Sequence, residues 1–135
     1  MFPYNLDHVG IAVEDLDAAV ADYERLYGAS PIFRETVTAQ GVEEAMFAVG
    51  GSFVQLLGAL GPDTPVGRFL DRRGPGMHHV AFAVPDIDAA LAHVRAEGAR
   101  LVDEVARPGS RNTRIAFVHP TSFAGTLVEL VELPT

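Results

Sequence analysis

Four side chains in this sequence have the types and the spacing to do chemistry: His8, Gln55, His79 and Glu129. Two imidazoles, one amide oxygen and one carboxylate make a mixed nitrogen and oxygen donor set for a divalent metal ion, with room for about two further ligands. Any one of these residues alone would read as an ordinary strand side chain. What singles them out is that they recur in pairs. Residues 8–23 read HVGIAVEDLDAAVADY and residues 79–94 read HVAFAVPDIDAALAHV, with nine of sixteen aligned positions identical. Such self-similarity in a short chain marks an internal duplication, and it sets His8 against His79. The segments Ser52-Phe-Val-Gln-Leu-Leu57 and Thr126-Leu-Val-Glu-Leu-Val131 match in the same way and set Gln55 against Glu129. Two equivalent histidines on two equivalent strands imply one shared site.

The elements that must position these side chains follow from periodicity. Residues 6–13 alternate: Asp7, Val9, Ile11 and Val13 point one way, and His8, Gly10 and Ala12 the other. The small residues beside His8 suit the floor of a pocket. A helix follows, with Asp15 as N-cap, Leu16, Ala19, Val20, Tyr23, Leu26 and Tyr27 at helical spacing, and Gly28 as the C-terminal cap. Strands are predicted near 32–38, over 42–49 and over 52–57. Gly50-Gly51 is a hairpin signal. A two-residue turn there pairs Val49 with Ser52 and Met46 with Gln55, which puts Glu44 on the face of Gln55. A three-residue loop would present Glu43 instead.

The glycine- and proline-rich stretch 58–76, with a short helical run over 66–72, reads as the connection between copies. In the second copy His79, Ala81 and Ala83 share one face of a strand and His78 takes the other. A helix is predicted from about Asp86 to Glu97, then strands near 100–105, 113–118 and 126–133. The fold class is therefore α+β: two tandem βαβββ modules, repeat 1 at about residues 4–60 and repeat 2 at about 76–134, expected to form a cupped mixed sheet around the metal site. A module of about 65 residues is marginal alone, so one domain over 1–135 is expected.

Composition narrows the partners. The net charge of −8 argues against nucleic acid and anionic membrane. No apolar run approaches the ~20 residues of a membrane span, and the first residues lack the order of a secretory signal. The absence of cysteine removes disulfides and thiolate chemistry and fits a cytoplasmic protein. All ten basic residues are arginines, and those between Arg107 and Arg114 are candidates for gripping phosphates. His93 is expected at a helix surface, and His119 in a loop near the site.

The duplicated strand–helix–three-strand pattern with these four residues resembles the vicinal oxygen chelate superfamily, which includes glyoxalase I, extradiol dioxygenases and bleomycin-binding proteins. Within it the chain is most similar to the methylmalonyl-CoA epimerase family. The segments that carry the resemblance are 7–13, Gln40-Gly-Val-Glu-Glu44, 54–57, 76–80, Phe117-Val-His-Pro-Thr-Ser122 and 125–130. The resemblance implies His8, Gln55, His79 and Glu129 as metal ligands, with cobalt foremost and manganese, nickel, zinc or magnesium also able to enter. It places the catalytic glutamate at Glu44, with Glu43 one residue away, and leaves Glu129 as the second acid/base. The implied reaction interconverts (2R)- and (2S)-methylmalonyl-CoA by proton abstraction at C2 through a metal-stabilised enolate. The implied partners are a small acyl-CoA substrate and a second copy in a homodimer. The alternatives are a glyoxalase-I-like lyase or isomerase and a non-catalytic, bleomycin-type binding protein.

Overall fold

The computed structural model describes residues 3–135. The chain forms two compact units, Val9–His78 and a second made of His79–Thr135 together with the residues up to His8. Both are built from the βαβββ module. The first module runs β1 (Asn5–Val13), α1 (Leu16–Tyr27), β2 (Phe33–Val37), β3 (Val42–Val49) and β4 (Ser52–Ala59). The connection carries α2 (Pro65–Arg73). The second module runs β5 (Gly76–Ala83), α3 (Ile87–Ala96), β6 (Arg107–Pro108), β7 (Arg114–Val118) and β8 (Val128–Glu132).

In the first unit the strand order is β2-β3-β4-β1. The Gly50-Gly51 turn sets the register of β3 on β4, with Val49 opposite Ser52 and Met46 opposite Gln55. Helix α1 starts where Asp15 accepts a hydrogen bond from Ala18 N and ends at Gly28 in the left-handed region. Its Leu16 and Val20 pack with Val13, Ala45, Phe47 and Leu56 on one face of the strands. Alternation puts Ala12, Val42 and Leu57 on the other face, under Val66, Phe69 and Leu70 of α2. Glu44 and Gln55 belong to this second face, and α2 closes one end of it.

Gly41 makes that closure possible. It caps the 3₁₀ turn Thr38–Gln40 at φ 70°. A Cβ there would lie 2.6 Å from Thr64 Cγ2 and 2.9 Å from Thr64 Cβ, at the residue that N-caps α2. Gly41→Ala combines left-handed strain of about 1–2 kcal/mol with a clash that a Thr Cβ cannot swing away from. Urea unfolding is expected to show a loss of about 2 kcal/mol or more, whereas Gly51→Ala, with open space around its Cβ, is expected to cost under about 1 kcal/mol.

In the second unit the order is β5-β8-β7-β6, with β5 and β8 parallel and the other pairs antiparallel. Tyr4 N–H donates to Ala83 O at 3.0 Å, so the start of the chain runs with this unit. Ile87, Ala90 and Leu91 of α3 pack on Val84, Ala116, Val118, Val128 and Leu130. The opposite face carries Ala81, Ile115, Phe117 and Val131. His79 shares that face by alternation along β5, and Glu129 shares it because it pairs with both Ala81 and Phe117.

The strand expected near 100–105 is not formed. Its place is taken by a single bridge, Leu101 to Val118, and a two-residue β6 further on. Asp103 is the physical reason: its carboxylate accepts the Phe117 N–H at 2.8 Å. Both Val102 N–H and Asp103 N–H converge on Phe117 O, which breaks the regular ladder.

Candidate metal centre and buried carboxylates

His8, His79 and Glu129 come together within the second unit, all three buried. His8 Nε2 lies 3.0 Å from His79 Nε2 and 3.0 Å from Glu129 Oε1, and His79 Nε2 lies 3.3 Å from the same oxygen. Three donor atoms thus form a nearly equilateral triangle. A metal ion bonded at about 2.1 Å holds adjacent octahedral ligands about 3.0 Å apart, so the separations suit three donors on one ion. Glu129 Oε1 is buried yet makes no hydrogen bond of good geometry among the described residues, as expected of an atom shaped for another partner. His79 is fixed from the side by Phe117, edge-on at 5.4 Å between ring centroids.

His8 is held from behind. Asp7 Oδ2 lies 2.7 Å from His8 Nδ1, and Arg111 donates to the same oxygen at 2.5 Å. A carboxylate on Nδ1 fixes the imidazole so that Nε2 faces His79 and Glu129. Asp7 lies outside the four residues the sequence singled out. Its only signal was its position beside His8, because the equivalent place in the second repeat is His78, which stacks edge-on against Phe69. The arginines named as candidates for gripping phosphates are engaged with carboxylates: Arg107 with Asp103, Arg111 with Asp7, and Arg114 with Asp88 and Glu132. His93 is exposed on α3, and His119 caps the 3₁₀ turn that follows it.

The charges in this cluster are divided unequally. Burial alone would lower the His8 pKa, but Asp7 and Glu129 outweigh it and push it up to about 9. Burial likewise opposes the charge on Glu129, and His79 and His8 outweigh it, holding the carboxyl well below the usual range. His79 is dominated by burial, so it stays neutral at neutral pH. The metal-free cluster is therefore an imidazolium, a neutral imidazole and a carboxylate. A divalent ion held by this cluster would have to displace the His8 Nε2 proton. Loading at pH 7 is expected to release about one proton, measured by titration calorimetry in buffers of different ionisation enthalpy. Apparent affinity should rise as pH rises toward 9 and level off above it.

In the first unit Gln55 Nε2 donates to Glu44 Oε1 at 2.6 Å, both residues buried. This orients the amide. Gln55 Oε1 is buried with no hydrogen-bond partner among the described residues. Glu44 is fully buried, while the neighbouring Glu43 is half-exposed and faces Arg34 at 3.6 Å.

A family model described as the glyoxalase/bleomycin resistance protein/dioxygenase superfamily matches residues 7–117. Human mitochondrial methylmalonyl-CoA epimerase is 34% identical over 126 residues, covering 93% of this chain and 72% of the human protein. The crystal structure of methylmalonyl-CoA epimerase from Mycobacterium tuberculosis is 42% identical, with a TM-score of 0.94 over 99% of this chain and 91% of that one.

The chain belongs to the methylmalonyl-CoA epimerase family of that superfamily.

A further structure of a methylmalonyl-CoA epimerase, in complex with methylmalonyl-CoA and NH4+, is 40% identical with a TM-score of 0.92, covering 100% of this chain and 97% of that one. The α+β fold of paired βαβββ modules is the fold of these enzymes. No helix among the described residues is long and apolar enough to cross a membrane.

Proposed function

We propose that this enzyme interconverts (2R)- and (2S)-methylmalonyl-CoA in a metal-dependent way, by taking the proton from C2 on one face and returning one on the other. The observation that carries the reading is the buried His8–His79–Glu129 triangle, in a chain whose relatives include an epimerase structure holding methylmalonyl-CoA. Gln55 is the fourth ligand in this reading, supported by its repeat relation to Glu129 and by its unsatisfied carbonyl oxygen. A divalent ion, cobalt foremost, would supply Lewis acidity to the thioester and carboxylate oxygens of the substrate.

The protein groups do the rest. A carboxylate is a weak base for a carbon acid, so its contribution rests on being held in place beside C2. Glu44, fully buried, is the base for one face. Glu129 is the second acid/base in this reading, directly or through a water. As the C2 proton passes to the Glu44 carboxylate, the C–H electron pair moves into the thioester carbonyl. A proton delivered to the opposite face completes inversion. Glu43 is set aside as the base because it faces an arginine and is half-exposed. The enzyme is proposed to work in the cytoplasm as a homodimer, on the cysteine-free composition and the family resemblance.

The test is solvent exchange. Cobalt-loaded protein given either epimer in D2O should place deuterium at C2 with inversion, followed by mass spectrometry and a stereospecific coupled assay. No exchange above the uncatalysed rate with metal bound would overturn the epimerase reading and direct attention to glyoxalase-type hemithioacetals.

A further inference from the structure

Asp7 and Arg111 are 104 residues apart in sequence and share one carboxylate oxygen with His8. The loop that delivers Arg111 is unusual. Arg111 and Asn112 both sit in the left-handed region, at φ 54° and 57°, and neither is glycine. Residues with a Cβ adopt that conformation only at a cost, and two in succession persist only where their surroundings fix them. Here the surroundings do. Thr113 Oγ1 donates to Ser110 O at 2.6 Å, Thr113 N–H donates to the same carbonyl, and Gly109 N–H donates to Thr113 O. Gly109 is confined as well: a Cβ there would lie 2.6 Å from Ile115 Cγ2 and 2.8 Å from Thr113 Oγ1. Ser110 and Thr113 are buried. The tight loop is thus built, at a cost, to aim one guanidinium inward at a buried carboxylate.

From this geometry we infer that Arg111 is a positioning residue for the metal centre: it fixes the Asp7 carboxylate, which in turn fixes the ring of ligand His8. The inference rests on the metal-binding reading of His8, His79 and Glu129. Asp7 Oδ2 takes donors from two directions, His8 Nδ1 and Arg111 Nη2, which pins the carboxylate against rotation about its Cβ–Cγ bond. Without the guanidinium the carboxylate keeps one partner and can turn, and the imidazole loses the fixed acceptor that sets its plane. Partners of this outer kind are typically worth ten- to a hundredfold in metal affinity. Arg111 acts one bond further out than Asp7, so its effect belongs at the lower end.

The experiment is a Co2+ titration of the metal-free full chain, followed by visible absorption, for wild type, Arg111→Met, Arg111→Lys, Asp7→Asn and the Asp7→Asn/Arg111→Met double variant. KM for the acyl-CoA substrate is measured alongside. Arg111→Met is expected to weaken Co2+ about tenfold, and Arg111→Lys to recover part of the loss by keeping a cationic donor. The double variant should bind no more weakly than Asp7→Asn alone, because Arg111 acts through Asp7. Wild-type affinity in Arg111→Met, or a loss that adds in full to that of Asp7→Asn, would overturn the inference. So would a raised KM with unchanged Co2+ affinity, which would make Arg111 a substrate contact. If wild type itself fails to bind Co2+, the metal reading fails first, and that outcome is separate from any difference among the variants.

Discussion

Glu44→Gln is expected to lower turnover by about 10²–10⁴-fold, the usual contribution of a positioned general base, while leaving Co2+ affinity within about twofold of wild type. The two readouts separate because of the geometry within the first unit. Gln55 donates to Glu44 Oε1 at 2.6 Å, and a glutamine at 44 still offers a carbonyl oxygen to that amide. The orientation of Gln55 survives, and what is lost is the negative charge that accepts a proton. In D2O the variant should show a further asymmetry. Exchange from the epimer whose C2 hydrogen faces Glu44 stops, whereas the other epimer can still exchange at the second acid/base without inverting. Glu43→Gln is the matched control: its side chain faces Arg34 and solvent, and near-normal turnover is expected. Equal losses in the two variants would remove Glu44 from its role.

The second large effect belongs to Glu129→Gln. Removing one partner of a buried charged pair typically costs about 3 kcal/mol or more, and Co2+ binding should fall by at least about 100-fold because a ligand oxygen has lost its charge. The pH dependence gives the cleaner signature. In the metal-free wild type, His8 is raised from 6.5 to about 9. Its contribution to stability is therefore full below pH 6.5 and is lost as pH rises through about 9. Glu129 is lowered from 4.5. Its contribution is present above pH 4.5 and is lost as pH falls below that. Burial holds His79 below 6.5, which costs stability as pH falls below that value, so thermal melting of the metal-free protein should be highest near pH 6.5 and decline on both sides. In Glu129→Gln the acid limb loses this contribution, and the alkaline decline shrinks, because only Asp7 then holds the proton on His8. A wild-type profile that keeps rising from pH 6.5 to 9 would contradict the charge assignment.

The clustering of His8, His79 and Glu129 was legible in the sequence for one reason: duplication. His8 and His79 could be paired by eye, and Glu129 entered through its match with Gln55. Glu44 was reached by a different route, since the Gly50-Gly51 turn fixed a register that the structure reproduces. Asp7 and Arg111 were beyond the same reasoning. Their contact breaks the repeat, with His78 standing where a second aspartate would be. The loop that delivers Arg111 depends on two left-handed residues whose types do not announce that conformation. Alternation misled near 100–105 because a side chain, Asp103, takes a backbone donor that a neighbouring strand would otherwise use. Period-two patterns report which residues can face a core; they do not report which backbone groups are already occupied.

The compact unit that holds the triangle is discontinuous in the chain, since the residues up to His8 join His79–Thr135 in it. During synthesis the two histidines and the glutamate therefore leave the ribosome at widely separated moments, with Glu129 the last of the three. A nascent chain that has not yet reached β8 lacks one of the three donors, so the set is complete only once Glu129 has emerged. In the metal-binding reading, a chain truncated before β8 would lack a donor as well as the strand that lies between β5 and β7.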